Sequence, residues 1–407
     1  MKKKQQPTSK IVVRKPNSLL NAIVRCGVKL WLKRRIKFKF TRNVRKLDHP
    51  AIVLCNHGSF IDFAYMALLL GRDKPHIVAT RQYFYNKRLG RLLLALGCIP
   101  KSLFTTDVES VKNCIKVVND GGVLVLCPEA RLSTVGQFQD IQPGTMGFLH
   151  KMGKHATIYT IKFSGDYLAM PKWARRGDKR FIRKKSVVEA TLDVLFAKGE
   201  CAGVTAEEFE SRVRNALQYN DFDWLQQHPN LTYPQGNLAD GLENVLYKCP
   251  NCGGEFTLSA RGNTLECGSC GFTDTMDVRY QFANSGFANL QQWYHWQMNE
   301  LSQAIESNPN FELRDRVTLY HPSLDGKTQL RVAGEGECVF NRQGLTYTGT
   351  DSGKQIVKHF PLNTIYRLMF GAGADFEIYE GDNFWYFVPS DGRTCVKWYM
   401  ASEVLCG

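Results

Sequence analysis

Two short clusters hold the residues best suited to chemistry: Asn56-His57-Gly58-Ser59-Phe60-Ile61-Asp62 and Pro128-Glu129-Ala130-Arg131-Leu132-Ser133. In the first, Gly58 permits a sharp turn, so the Asp62 carboxylate can fold back to accept a proton from one imidazole nitrogen of His57 and leave the other free as a base. This is the orienting half of a Ser-His-Asp triad without the serine, which makes the substrate's own hydroxyl the nucleophile. In the second cluster the Arg131 guanidinium can grip a phosphate through two parallel hydrogen bonds. A histidine and an aspartate five apart also occur by chance as a satisfied structural pair, and Glu129 and Arg131 could simply pair with each other at the surface.

A third constellation has a different purpose. Cys249-Pro250-Asn251-Cys252 and Cys267-Gly268-Ser269-Cys270 form two C-x2-C pairs with glycines just after each. Four thiolates close a tetrahedral Zn2+ site with no open position, so the metal is expected to be structural rather than catalytic. So small a module has little core, and bound zinc should supply much of its folding energy, on the order of 10–16 kcal/mol in zinc-finger peptides.

Strands are expected at 51–55, 77–80, 123–127 and 157–163, and helices at 63–70, 88–96, 108–119 and 145–151. This alternation describes an α/β domain over 47–225, a mixed sheet flanked by helices, with buried strands. Both reactive clusters then lie in turns at strand ends, where two neighbouring strands would share one rim. Residues 168–185 read as a basic loop region, and 186–219 as helical with a break near 199–203. A linker with Pro229, Pro234 and Gly236 leads to a zinc ribbon over 246–275. Over 276–407 a helix at 287–306, short strands at 317–320, 329–332, 337–341, 346–348, 376–379 and 384–388, and a final helix at 396–404 suit a β-rich, pleckstrin-like domain. Deleting 246–407 is expected to weaken membrane association or regulation more than intrinsic turnover.

Of the 53 Lys and Arg, 16 fall within residues 1–46, which contain no Asp or Glu; the other 37 nearly balance 38 acidic residues. The chain is therefore near neutral with a basic arm, and the arm calls for an anionic lipid surface or a nucleic acid. Residues 1–16 read as polar and mobile. Residues 18–33 suit an amphipathic helix that could lie among lipid headgroups, with a core-packing helix as the alternative. With no apolar run of about 18–20 residues, no membrane span is expected; Lys2, Lys3 and Lys4 precede no apolar core, so no secretory signal is expected. The 13 cysteines, several inside apolar runs, suit a reducing cytoplasm, with the protein held peripherally at the inner face of the membrane.

Together the two turns resemble the glycerolipid acyltransferase family that includes bacterial lysophosphatidic acid acyltransferases. Its N-H-x-S-x-x-D block is matched by Asn56, His57, Ser59 and Asp62; its P-E-G-T-R-S block is matched at Pro128, Glu129, Arg131 and Ser133, with Ala130 and Leu132 at the small and Thr positions. Residues 136–144 offer a counterpart to a following Gly-x-x-x-F-x-x-G-type stretch. The resemblance covers roughly residues 50–165. It implies an O-acyltransferase in which His57 deprotonates a lysolipid hydroxyl, Asp62 orients His57, and the alkoxide attacks an acyl thioester of coenzyme A or acyl carrier protein. Asn56, Ser59, Lys101, Glu129, Arg131 and Ser133 would bind the acceptor. Lys101 stands where the family has Arg, and 157–163 lacks the family's late Pro, which leaves the acceptor's identity open. Two other readings stay beside this one: a catalytically degenerate lipid-binding platform, and a zinc-ribbon protein that binds nucleic acid. Nucleic-acid binding does not require the two ordered motifs.

Overall fold

A computed structural model of the chain describes residues 13–142, 144–176, 179–323, 328–381 and 383–407. The first twelve residues of the expected arm, with Lys2, Lys3 and Lys4, lie outside that set.

Helix α1 (Ser18–Lys33) starts where the Asn17 side chain accepts from the Leu20 N–H, the N-cap bond that satisfies an otherwise orphaned donor. It buries Asn21 and Leu32, while Leu19 is 72% and Leu30 65% exposed, with Ile23 and Trp31 also on the surface. Most of its apolar stripe is therefore not part of a core. Strand β1 (Ile36–Arg42) follows and pairs in parallel with a later strand, so the segment expected as an arm contains an edge strand of the main sheet. Its alternation of Ile36, Phe38 and Phe40 with Lys37 and Lys39 is the period-two signature that the charge count hid.

The α/β unit continues through β2 (Ala51–Cys55), α2 (Asp62–Leu70), β3 (His76–Thr80), α3 (Lys87–Ala95), β4 (Ile99–Lys101), α4 (Val108–Asn119), β5 (Val123–Leu126), α5 (Thr145–Gly153), β6 (Thr157–Ser164) and α6 (Asp166–Ala169). A small ribbon of β7 (Arg175–Arg176) and β8 (Lys179–Arg180) precedes β9 (Ser186–Phe196), α7 (Ala206–Leu217) and α8 (Asp221–Gln226). The sheet order is β1-β9-β6-β2-β5-β3-β4, parallel throughout except for β6 against β9. It is the expected mixed sheet. Central β2 is wholly buried, as a parallel strand covered on both faces must be. Segment 186–196 is a strand rather than the expected helix: its burial alternates residue by residue, and its Val and Thr residues favour a pleated surface.

A three-stranded antiparallel sheet of β10 (Leu258–Arg261), β11 (Thr264–Cys267) and β12 (Thr273–Thr275) carries the cysteine pairs. After α9 (Leu290–Ser307) come β13 (Glu312–Pro322), β14 (Leu330–Asn341), β15 (Gly344–Asp351), β16 (Lys354–Pro361), β17 (Met369–Gly371), β18 (Asp375–Glu380), β19 (Asn383–Pro389) and α10 (Cys395–Cys406). The strands form one antiparallel sheet in the order β16-β15-β14-β13-β19-β18-β17. β14 is continuous where two short strands were expected, and the sequence reading gave no strand at β16 or β17.

The segments do not behave as beads on a string. One core joins Val135, Tyr167, Trp173 and Phe222 of the α/β unit to Leu258 and Leu265 of the small sheet, Trp293 of α9 and Trp398 of α10. The expected linker belongs to it through Tyr233, Leu238 and Leu242, and the Arg279 guanidinium clamps the carbonyls of Leu225, His228, Pro229 and Leu231. Truncating one such buried aromatic costs about 3–5 kcal/mol. Removing 246–407 would strip many at once, so the expected active truncation is not compatible with this core.

Candidate active site

β2 and β5 are in parallel register from Ala51 opposite Val123 to Leu54 opposite Leu126, so their following loops leave the same edge of the sheet. Backbone bonds weld them: Ser133 N donates to His57 O (2.9 Å), and His57 N donates to Glu129 Oε1 (3.1 Å). Gln139 N donates to the other oxygen, Glu129 Oε2 (2.8 Å). Burial pushes the Glu129 carboxyl upward, and these two backbone donors oppose that shift. Asn56 closes a two-way bond with the Phe163 backbone (2.7 and 3.0 Å) and ties the end of β2 to β6. Ser59 Oγ donates to Met170 O (3.2 Å) and Ser133 Oγ to Gln137 O (2.8 Å). All four side chains are buried and hold the loops in place. Lys101 lies on β4, at the far edge of the sheet from β2, with Nζ 3.2 Å from Ser102 O.

His57 Nδ1 lies 2.8 Å from Asp62 Oδ2, with the histidine side chain 29% exposed and the aspartate fully buried. The same Asp62 oxygen accepts from Ser59 N (3.2 Å), which fixes the turn as α2 begins. An Nδ1–H facing a carboxylate leaves Nε2 as the acceptor. Burial lowers the imidazole from 6.5 to about 4, with the positive charge of Lys172 adding to the effect; the ring is neutral at pH 7 and able to take a proton. Burial pushes the Asp62 carboxyl upward. Gly58 serves a purpose other than the expected turn: its φ is not positive, and a Cβ there would meet the Asp166 carboxylate at 2.6–2.8 Å.

The second loop reaches into the C-terminal domain. Arg131 has a side chain only 4% exposed, lies 3.4 Å from Glu403 Oε1 of α10, donates from Nε to Gln139 Oε1 (2.9 Å) and stands over the Tyr399 ring. Tyr399 Oη also donates to Glu403 Oε1 (2.9 Å). The letters agree with this inward aim: set without a gap on P-E-G-T-R-S, the run Pro-Glu-Ala-Arg-Leu-Ser puts Arg131 at the Thr position and Leu132 at the Arg position, which corrects the pairing by residue type. Near His57, Lys172 is buried with Nζ 3.5 Å from the Phe370 ring centroid, and burial pushes it down to about 7.

The four paired cysteines converge, with all four sulfurs within 4.8 Å. Cys249 and Cys270 are 3.8 Å apart, as are Cys252 and Cys267. Tetrahedral zinc with Zn–S bonds of about 2.3 Å sets its sulfurs about 3.8 Å apart, so the cluster could bind such a metal.

Asp166, Lys172, Tyr399 and Glu403 were not anticipated. Asp166 carried a usable signal, since it follows β6, the other neighbour of β2, at the same edge of the sheet. The contacts from α10 come from some 270 residues away, beyond any local pattern.

Comparison with known proteins agrees with the α/β reading. The acyltransferase family model matches residues 35–164. The chloroplastic 1-acyl-sn-glycerol-3-phosphate acyltransferases of Arabidopsis thaliana and Brassica napus are 25% and 26% identical, over 40% and 38% of this chain and 46% and 45% of their own lengths. The chain thus spans less than half of these curated relatives. The solved 1-acyl-sn-glycerophosphate acyltransferase PlsC of Thermotoga maritima aligns over 49% of this chain and 75% of its own, at 14% identity and a TM-score of 0.37. Residues 35–164 are a domain of the acyltransferase family, similar to lysophosphatidic acid acyltransferases.

Proposed function

We propose that the protein is an O-acyltransferase that moves a fatty acyl group from a thioester, of coenzyme A or acyl carrier protein, to the free hydroxyl of a lysophospholipid. The observation that carries this reading is the partly exposed His57 held through Nδ1 by buried Asp62. His57 Nε2 takes the acceptor hydroxyl proton as the oxygen attacks the thioester carbonyl. The tetrahedral intermediate then collapses, the C–S bond breaks, and the thiolate recovers that proton from the imidazolium. Asp62 keeps the Nδ1–H tautomer and stabilises the transient cation. Asn56, Ser59, Glu129 and Ser133 position the loops in this account, and Arg131 anchors α10 over the rim.

The remaining assignments follow the same reading. Exposed Leu19, Ile23, Leu30 and Trp31 on α1 and exposed Phe40 of β1 and Phe63 of α2, with Lys29, Lys33 and Lys37, suit peripheral docking on the anionic inner face of a membrane, each basic residue adding about 1 kcal/mol near such a surface. No helix among the described residues is long and apolar enough to cross a membrane. The four cysteines form a zinc ribbon with a structural role. The antiparallel order of β13–β19 and the closing helix α10 support the pleckstrin-like reading.

The test is acyl transfer from labelled acyl-CoA and acyl carrier protein to a panel of lysolipids. Product is expected from wild type, with a loss of about 10²–10⁴ in His57→Ala. No product from any pair, by folded protein, would favour a lipid-binding platform, a reading to which the closure of Arg131 under α10 lends some weight.

A further inference from the structure

Behind the base lies a second carboxyl group for which the proposed chemistry has no use. Asp166 opens α6 immediately after β6, is fully buried, and presses its carboxylate against Gly58, where only a missing side chain leaves room. It lies close enough to the Asp62 carboxyl for each of the two to shift the other's proton affinity. Neither Asp166 oxygen, nor Asp62 Oδ1, has a donor among the described residues. The next buried carboxylate, Asp221, is different, because it accepts from the N–H groups of Gly165 (2.9 Å) and Tyr167 (3.0 Å).

Two ionised carboxylates cannot share a dry contact, since each is acceptor-only and like charges at that range repel strongly in a low dielectric. A single proton between them resolves both problems. Its place follows from the other bonds. Asp62 Oδ2 already accepts from His57 Nδ1 and Ser59 N, whereas neither Asp166 oxygen has a hydrogen-bond partner, and the backbone N–H groups of Tyr167 and Asp166 only oppose the larger upward push of burial on its carboxyl.

We propose that Asp166 is a positioning residue for the base: carrying a proton, it donates to Asp62 Oδ1 and holds that carboxylate so that Oδ2 stays aimed at His57 Nδ1. The negative charge then remains on Asp62 when His57 Nε2 takes the acceptor's proton, and the imidazolium faces a fixed anion. No proton moves between the two aspartates in the cycle; the one lifted from the hydroxyl leaves with the thiol. Burial and the Asp62 charge both raise the proton affinity of Asp166, as the arrangement requires. The glycine at 58 is explained by the same contact.

This inference rests on the acyl-transfer reading of His57, and its test has one arm that does not. Asp166→Asn keeps a donor for Asp62 Oδ1, and Asp166→Ala removes it. With the full chain, the Asn variant is expected to retain kcat within about 5-fold, and the Ala variant to lose about 10–100-fold, the usual range for a residue that orients a catalytic ligand, with acceptor KM changed less than about 3-fold. Independently, the infrared spectrum at neutral pH should contain a protonated-carboxyl band that the Asn variant lacks. Should the Ala variant fail to fold, the Asn rate and the band still decide. Equal damage in both variants, wild-type activity in the Ala variant, or an unchanged band would overturn the proposal. Absence of transfer by wild type would sink the acyl-transfer reading instead, and the band would still report whether Asp166 holds a proton.

Discussion

The two loops that meet at the edge of the α/β sheet are built in different ways. The loop of His57 and Asp62 is complete within one domain: its turn is tied by Ser59 N to Asp62, its backbone is welded to the neighbouring loop, and its tautomer is set by a residue five positions away. The loop of Arg131 is finished only by α10, whose Glu403 and Tyr399 enclose the guanidinium. Short-range bonds can place a base. Closing the rim above it takes a core that runs on into the cysteine-bearing sheet and the C-terminal domain.

Removing the zinc proposed for the cysteine cluster should break this comparison most severely. Chelation, or Cys252→Ser, takes away a contribution on the order of 10 kcal/mol in isolated zinc modules, and through the shared core it is expected to lower the thermal midpoint of the whole chain; a midpoint unchanged in parallel with metal loss would separate ribbon from enzyme. Asp62→Asn acts within the α/β unit. It should preserve the midpoint within a few degrees and lower kcat by about 10³–10⁴, as expected when the orienting carboxylate gives way to a group that favours the wrong tautomer. The smallest effect is reserved for the shared loop, where Glu403→Gln leaves the buried Arg131 without its counter-charge. Chemical denaturation should show a loss of about 1–3 kcal/mol, partly recovered in the double variant with Arg131→Met; strict additivity of the two changes would mean that the pair is not coupled.

How much of this was legible in the sequence depended on the range of the interaction. Strand β2 and helices α1, α2 and α4 could be read almost to the residue, because continuous apolar runs and a 3.6-residue stripe are local signals. Both reactive clusters could be placed on one rim for the same reason, each following such a run. Strand β1 was hidden by its lysines, and β9 by Glu189 and Asp193, whose four-residue spacing also suits an exposed helix face. Asp166 drew no reading from the sequence, since nothing nearby shows that its carboxylate abuts Gly58. The Arg131–Glu403 contact joins residues whose neighbours give no hint of each other, and matching Arg131 by residue type rather than by position made it look like an open phosphate clamp.

The most direct test of the account is the pH dependence of kcat/KM for acyl transfer by wild type, with His57→Ala measured alongside to show that the acidic limb belongs to this residue. Activity must fall as pH drops through the histidine's pKa, because only the neutral ring accepts the hydroxyl proton. Partial burial of His57 and the positive charge of Lys172 put that limb near 4, well below the ordinary 6.5. A limb at or above 6.5 would contradict a neutral, partly buried base, and an acidic limb that persists in residual His57→Ala activity would assign the proton to another group.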